Sequence, residues 1–310
     1  MSISLKKIIH SVPFLAIISC LLWATPFVGI KIGLQYTSPL HFAGMRFLLA
    51  GILVLPFIPN LGQQLKESLH YWRWLLYIAL LQTTFLYALF YIGLAMVPGS
   101  VGAMIVGSNP IFIAITAHFM IRDERMTLKK TLAVLIGVLG VITVSLSKGD
   151  VTVNQIGYGS ISLGIIILIV KNFLGSFGNI IIAKRTKGIH PRLLSSLSLI
   201  VGAILLLIIA EPIEQPTWEL YPPIFWVNLV WLALVSSIAI SIWYTLLQRP
   251  DVKVTDLNLW TFIIPVFGAI FSWLILPNEH PQLLQIVGML IIVISLIMIN
   301  LVNRQEHRLR

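Results

Sequence analysis

Apolar residues in this chain run in blocks of about twenty, one after another, parted by short joints rich in Pro, Gly, Ser, Asn and charge. Ten such blocks are legible: residues 13–32, 40–57, 74–96, 100–121 and 128–146, then 157–183, 193–210, 225–247, 255–276 and 283–302. A helix of about 20 apolar residues crosses the hydrocarbon of a bilayer. The pattern therefore predicts an all-α integral membrane protein with ten transmembrane helices. Joints such as Thr37-Ser38-Pro39, Val97-Pro98-Gly99 and Gly188-Ile189-His190-Pro191 carry turn chemistry, and none looks like a linker between independent domains. The first block has no small-residue cleavage site and is expected to be a retained helix.

The pattern also repeats. Residues 100–124 and 255–279 superpose without a gap when Pro110 is laid on Pro265, a shift of 155 positions. Phe112 then falls on Phe267, Ala114 on Ala269, Ile115 on Ile270 and Glu124 on Glu279. A mid-helix proline removes one backbone hydrogen bond and crowds the preceding turn, so both helices should be broken near their middles. The division predicted is residues 1–150 and 151–310, five helices each. Because five is odd, the second unit enters the membrane from the opposite face, and the two form an inverted repeat. Paired broken helices in inverted halves point to a transporter's site at their interface.

Composition changes the picture in one respect. Apolar residues are 58% and charged residues 10% of 310 positions, far from the roughly 25% charged of a soluble domain. The net charge of +10 would suggest nucleic acid in a soluble protein, but its placement speaks of topology. All but four of the 21 Lys and Arg fall on one face of the predicted bundle; Lys31 and Lys148 lie on the other, with Glu211, Glu214 and Glu219. By the positive-inside rule the basic face and both termini are cytoplasmic, as expected for the inner membrane of a bacterium. No nucleic-acid partner is expected. Trp74, Trp218 and Trp226 read as interfacial belt residues. The single cysteine, Cys20, excludes an internal disulfide and a multi-cysteine metal cluster.

Arg46 lies about two turns into the second span and Lys171 close to the centre of the sixth. A charge at a helix centre is held at roughly 2.5–3.5 kcal/mol, so each should meet a wet cavity or a partner. The competing readings are snorkelling to the interface for Arg46 and capping of free carbonyls in a broken helix for Lys171. No Asp or Glu lies mid-span. A neutral to positive cavity suits neutral, zwitterionic or anionic cargo, with cation–π capture left open. Helical spacing gives candidate lining: Trp23 with Ser19; Tyr87 and Tyr91 with Thr84; Asn109 with Gly102 and Thr116; Lys171, Gly175, Gly178 and Asn179; Ser237, Ser241, Tyr244 and Gln248; and Asn258, Thr261, Pro265, Gly268 and Ser272. Such stripes serve tight helix packing equally well. His118 is a candidate for proton coupling. No nucleophile-and-base set, metal pair or phosphate loop is visible, so no catalysis and no cofactor are expected.

The stretches LLWATPFVGIKIG, SPLHFAGMRFLLAGILVLP and FYIGLAMVPGSVGAMIVGSNPIFIAITAHFMIRDERMT resemble the ten-helix EamA-type branch of the drug/metabolite transporter superfamily. The resemblance is carried by Trp23, Lys31, Arg46, Pro110 and Glu124, with Pro265 and Glu279 repeating the last two. It implies a five-plus-five inverted-repeat carrier whose helices one, three, four, six, eight and nine surround a cavity, often exporting amino acids or other small metabolites. The chain departs from the pattern in the sixth block, where Phe177-Gly178 stands nearest to the expected Trp-Ala and Lys171 is additional. The expectation is a secondary transporter of a small organic solute. It would act as a monomer with proton or solute counter-exchange, with Trp23, Arg46, Tyr87, Tyr91, Asn109, Lys171, Asn179, Ser241, Tyr244, Asn258 and Thr261 facing the solute. The alternative is a membrane enzyme or lipid-handling protein acting on headgroups.

Overall fold

The computed structural model describes residues 11–122, 126–147, 160–214 and 220–308. Glu124, Lys148, Trp218 and Glu219 lie outside them, as does the predicted start of the sixth block at residue 157. Every regular element among the described residues is helical. In chain order the helices are α1 (Val12–Ala24), α2 (Pro26–Gly33), α3 (Pro39–Val54), α4 (Leu61–Ser68), α5 (Trp72–Ile78), α6 (Leu86–Met96), α7 (Gly99–Gly107) and α8 (Asn109–Met120). They continue as α9 (Leu128–Ser145), α10 (Ile161–Arg185), α11 (Pro191–Glu214), α12 (Pro223–Gln248), α13 (Val254–Leu259), α14 (Ile263–Ile275) and α15 (Leu283–Arg308). Together they make ten helical stretches long and apolar enough to cross a membrane. This is an integral, multi-pass membrane protein.

The packing shows how the two halves are joined. The second span packs on the seventh, the fourth on the ninth and the fifth on the tenth, while the first packs on the eighth and the third on the sixth. Exchanging the halves maps the first three pairs onto themselves and the last two onto each other. That is the signature of two inverted five-helix repeats. Lipid gives no hydrophobic drive between helices, so close backbone approach through small residues has to hold them. Gly93 and Gly164 face each other's carbonyls across the third and sixth spans, as Gly140 and Gly288 do across the fifth and tenth. Ser196 Oγ donates to Gly51 O at 2.8 Å between the second and seventh.

Four spans are broken near the middle; the first is interrupted at Thr25, between α1 and α2 and just ahead of Pro26. The fourth breaks at Ser108, between α7 and α8, with Pro110 at the second position of α8. A proline disfavours helical geometry in its predecessor, so the break precedes it. The ninth loosens into a 3-10 turn at Trp260–Phe262, and Pro265 sits in the first turn of α14. The third, which has no proline, widens into a π turn at Ala79–Phe85. The seventh span runs further than the sequence suggests. Its helix continues through Pro212 to Glu214, because a proline in the last turn forfeits only one hydrogen bond.

Candidate functional site

The fourth and ninth spans cross at their breaks. A Cβ on Gly107 would lie 2.1 Å from Pro265 Cδ and 2.6 Å from its nitrogen, so the backbones touch there. Beside the crossing is a cavity of about 130 Å³, well above the ~10–15 Å³ that one water molecule needs. Trp23, Arg46, Tyr87, Asn109, Lys171, Asn179, Tyr244, Asn258 and Thr261 all line it. The first, third, fourth, sixth, eighth and ninth spans contribute walls, and the second adds Arg46.

The two cations are held differently. Arg46, 2% exposed, donates from Nε to Leu232 O at 3.2 Å and to Ser236 Oγ at 2.9 Å, and from Nη1 to the Tyr91 hydroxyl at 3.0 Å. Its Cζ lies 4.9 Å from the Phe47 ring, on which Tyr87 stacks at 3.8 Å. This is a fixed, inward-turned guanidinium and not a snorkelling one. Lys171 has a long bond to Asn172 Oδ1 at 3.4 Å and stands 5.6 Å from the Phe90 ring. It caps no carbonyl of the broken helix. Asn172 does, donating to Ile105 O at 2.7 Å in the last turn of α7. Among the described residues no carboxylate lines the cavity, so both positive charges face it without a counter-ion from them.

Amides form a second feature. Asn258 Oδ1 accepts from Asn109 Nδ2 at 3.2 Å and from Asn179 Nδ2 at 3.1 Å, and Ser176 Oγ donates to Asn109 Oδ1 at 3.2 Å. Asn258 Nδ2 is spent on Val254 O within its own helix, which fixes the cluster's orientation. Trp23 and Trp243 meet edge to face at 4.9 Å and form an aromatic wall with Tyr244.

Two of the expected site residues stand elsewhere. Tyr91 is fully buried behind Arg46 and orients it from there. Ser241 bonds Ser195 Oγ at 3.0 Å across the eighth and seventh spans, because its position on α12 turns it from the cavity wall. The ninth-span stripe divides: Asn258 and Thr261 reach the cavity, while Pro265, Gly268 and Ser272 pack against Gly107, Ala103 and Gly99. Gly178 packs against Gln82, and Gln248 bonds Thr186. His118 Nδ1 accepts the amide of Met126 at 3.0 Å, closing a turn at the end of α8. Sequence reading missed Gln82 and Trp243, both on the wall. Gln82 carried a signal, a polar residue mid-span; its Nε2 donates to Gly175 O at 3.1 Å.

Toward the face opposite the basic one, aromatic rings of the second, third and eighth spans pack together. Phe42 meets Tyr91 at 5.8 Å and Phe225 at 5.4 Å, and Tyr221 stacks on Phe225 at 4.2 Å. Two carboxylates clamp helix starts on that face, where free amides and the helix dipole favour negative charge. Glu279, 7% exposed, accepts from Gly99 N at 2.5 Å, Ser100 N at 2.9 Å and Ser100 Oγ at 2.6 Å at the start of α7. Glu214 accepts from Leu40 N at 2.8 Å and His41 N at 2.9 Å at the start of α3.

The model of the EamA-like transporter family matches residues 10–146 and 162–301, one copy over each half. The chain belongs to the EamA-like transporter family. Its relatives include an uncharacterized transporter of Synechocystis sp., 26% identical over 92% of this chain and 88% of the relative. An uncharacterized transporter of Archaeoglobus fulgidus is 25% identical over 94% of this chain and 96% of its own. An S-adenosylmethionine/S-adenosylhomocysteine transporter of Chlamydia trachomatis serovar L2 is 25% identical over 90% and 86%. A solved crystal structure shares the fold, with a TM-score of 0.71 at 14% identity over 95% of this chain and 98% of that one.

Proposed function

We propose that this EamA-like protein is a secondary transporter that exports a small organic solute carrying a carboxylate or other anionic group, such as an amino acid or a derivative of one. The observation that carries the reading is the cavity between the inverted halves, where Arg46 and Lys171 face the interior with no acidic side chain among the described residues that line it. An anionic group placed there supplies the missing counter-charge, and the amides of Asn109, Asn179 and Asn258 match further polar groups. Trp23, Trp243, Tyr87 and Tyr244 suit an apolar or planar remainder. The Chlamydia relative makes S-adenosylmethionine and S-adenosylhomocysteine candidates, since each joins an amino-acid end to a planar base.

Alternating access follows from the inverted architecture: the two halves, residues 1–150 and 151–310, rock about the Gly107–Pro265 crossing and expose one site to either face. The basic face is read as cytoplasmic, which puts the ring cluster of Phe42, Phe225 and Tyr221 toward the outer face. With both halves in one chain the monomer is the unit, coupled to a proton or a counter-exchanged solute. The membrane is read as a bacterial inner membrane.

The test is transport by the purified protein in proteoliposomes, preceded by a thermal-shift screen of amino acids, organic acids and the two adenosyl compounds. A carboxylated solute should raise the melting temperature, since a ligand that binds only the folded state stabilises it. It should also cross the membrane. Stabilisation by no carboxylated solute, or turnover of a headgroup in detergent, would overturn the reading.

A further inference from the structure

On the basic face, the third, fourth and sixth spans part to leave a groove of about 650 Å³ at the bundle surface, lined by Arg73, Trp74, Tyr77, Met120, Ile181 and Arg185. The π turn at Ala79–Phe85 marks where the packing loosens: α6 lies along α10, whereas α5 only brushes it. Arg73 stands in the first turn of α5 and Arg185 ends α10, so both mark span ends, the depth of headgroups. The Arg185 guanidinium lies 6.0 Å from the Trp74 ring and that of Arg73 lies 5.6 Å from Trp72. Among the described residues neither has a carboxylate partner.

Away from the arginines the groove turns apolar. Ile181, Phe177 and Phe173 follow one another at four-residue steps on α10, the two phenylalanines are exposed, and Phe112 meets Phe173 edge-on at 4.8 Å. From Arg185 to Phe173 the helix rises about 18 Å, close to the ~15 Å of hydrocarbon in one leaflet. Two uncompensated cations over an apolar track one leaflet deep match one class of molecule. We infer that this groove holds one anionic phospholipid, its phosphate between Arg73 and Arg185 and an acyl chain along Ile181, Phe177 and Phe173. A zwitterionic phosphatidylcholine brings its own cation to the arginines and fits less well. The site is separate from the central cavity and stands whether or not the carrier reading does.

Native mass spectrometry on protein released from nanodiscs of equal phosphatidylglycerol and phosphatidylcholine tests it. The expected result is one phosphatidylglycerol retained per chain. The Arg73→Gln/Arg185→Gln pair should weaken it roughly 25-fold, about fivefold for each charge near the surface. Lys66→Gln/Lys187→Gln, which removes the same charge from exposed positions on the same face, should leave it bound. Equal retention of phosphatidylcholine, or equal loss in both pairs, would show only a diffuse annulus and overturn the site. Thermal stabilisation by soluble glycerol 3-phosphate matching that of the lipid would overturn the lipid assignment in favour of a bare anion.

Discussion

Lys171 and Asn172 are neighbours on one helix with opposite tasks. Lys171 offers a charge to the cavity and makes only a long bond of its own, whereas Asn172 ties the sixth span to the break of the fourth by donating to the Ile105 carbonyl, which Ser108 N and Oγ also reach. Lys171→Ala should therefore keep the melting temperature and lower flux of a carboxylated solute at least about tenfold, the loss expected of one charge-assisted hydrogen bond. Asn172→Ala should do the reverse first, lowering stability by about 0.5–1.5 kcal/mol through the loss of one buried hydrogen bond between the sixth and fourth spans. Thermal unfolding in detergent, set beside proteoliposome flux, separates the two; a stable Asn172→Ala protein would remove the capping role. Lys171 was legible in the sequence because a charge within a span is rare. Asn172 was not, since its partner at Ile105 belongs to another span and no local pattern announces it.

The broken spans decide what moves and what is held. Gly107 has no space for a side chain against Pro265, and the obstruction includes backbone, which cannot swing away as a flexible side chain does. Gly107→Ala is expected to abolish transport and destabilise the protein, whereas Gly62→Ala, with nothing within 4 Å, should be neutral or slightly stabilising because alanine favours helix by ~1 kcal/mol. Transport rates and melting curves of the two alanine variants check this. Glu279 holds the start of α7 with three hydrogen bonds, so Glu279→Ala should lower stability by about 2–3 kcal/mol, read as a lower melting temperature. The repeat marked Glu279 through its sequence match with Glu124, and Pro110 and Pro265 foretold two breaks. It took coordinates to show that the breaks lie ahead of the prolines and touch each other. The π turn of the third span had no proline to betray it, and Glu214 read as a loop acid until α11 was seen to run past Pro212.

At the scale of the molecule, opposed insertion of the halves and the one-sided distribution of Lys and Arg predict which joints face which compartment. In right-side-out vesicles, Leu220→Cys, fully exposed between the seventh and eighth spans, should react with an impermeant maleimide. Gln63→Cys, exposed on α4, should react only after the membrane is opened. The buried native Cys20 should stay silent in both. Labelling in the opposite order would reverse the orientation, and labelling of both from one side would break the inverted arrangement.

Ten spans, two units and a carrier-like break in each were fixed by composition, block length and a repeat, because lipid demands long apolar helices and a proline disrupts a helix wherever it falls. Which polar residues share the cavity was settled only by packing. Ser241 and Tyr244 lie on one helix, three residues apart, and one faces a neighbouring helix while the other faces the cavity. Spacing places residues on a face, but the neighbouring span decides whether that face meets space, a glycine or another hydroxyl. The same holds for the groove at Arg73 and Arg185: both charges were visible along the chain, and only the parting of three spans set them over a shared apolar track.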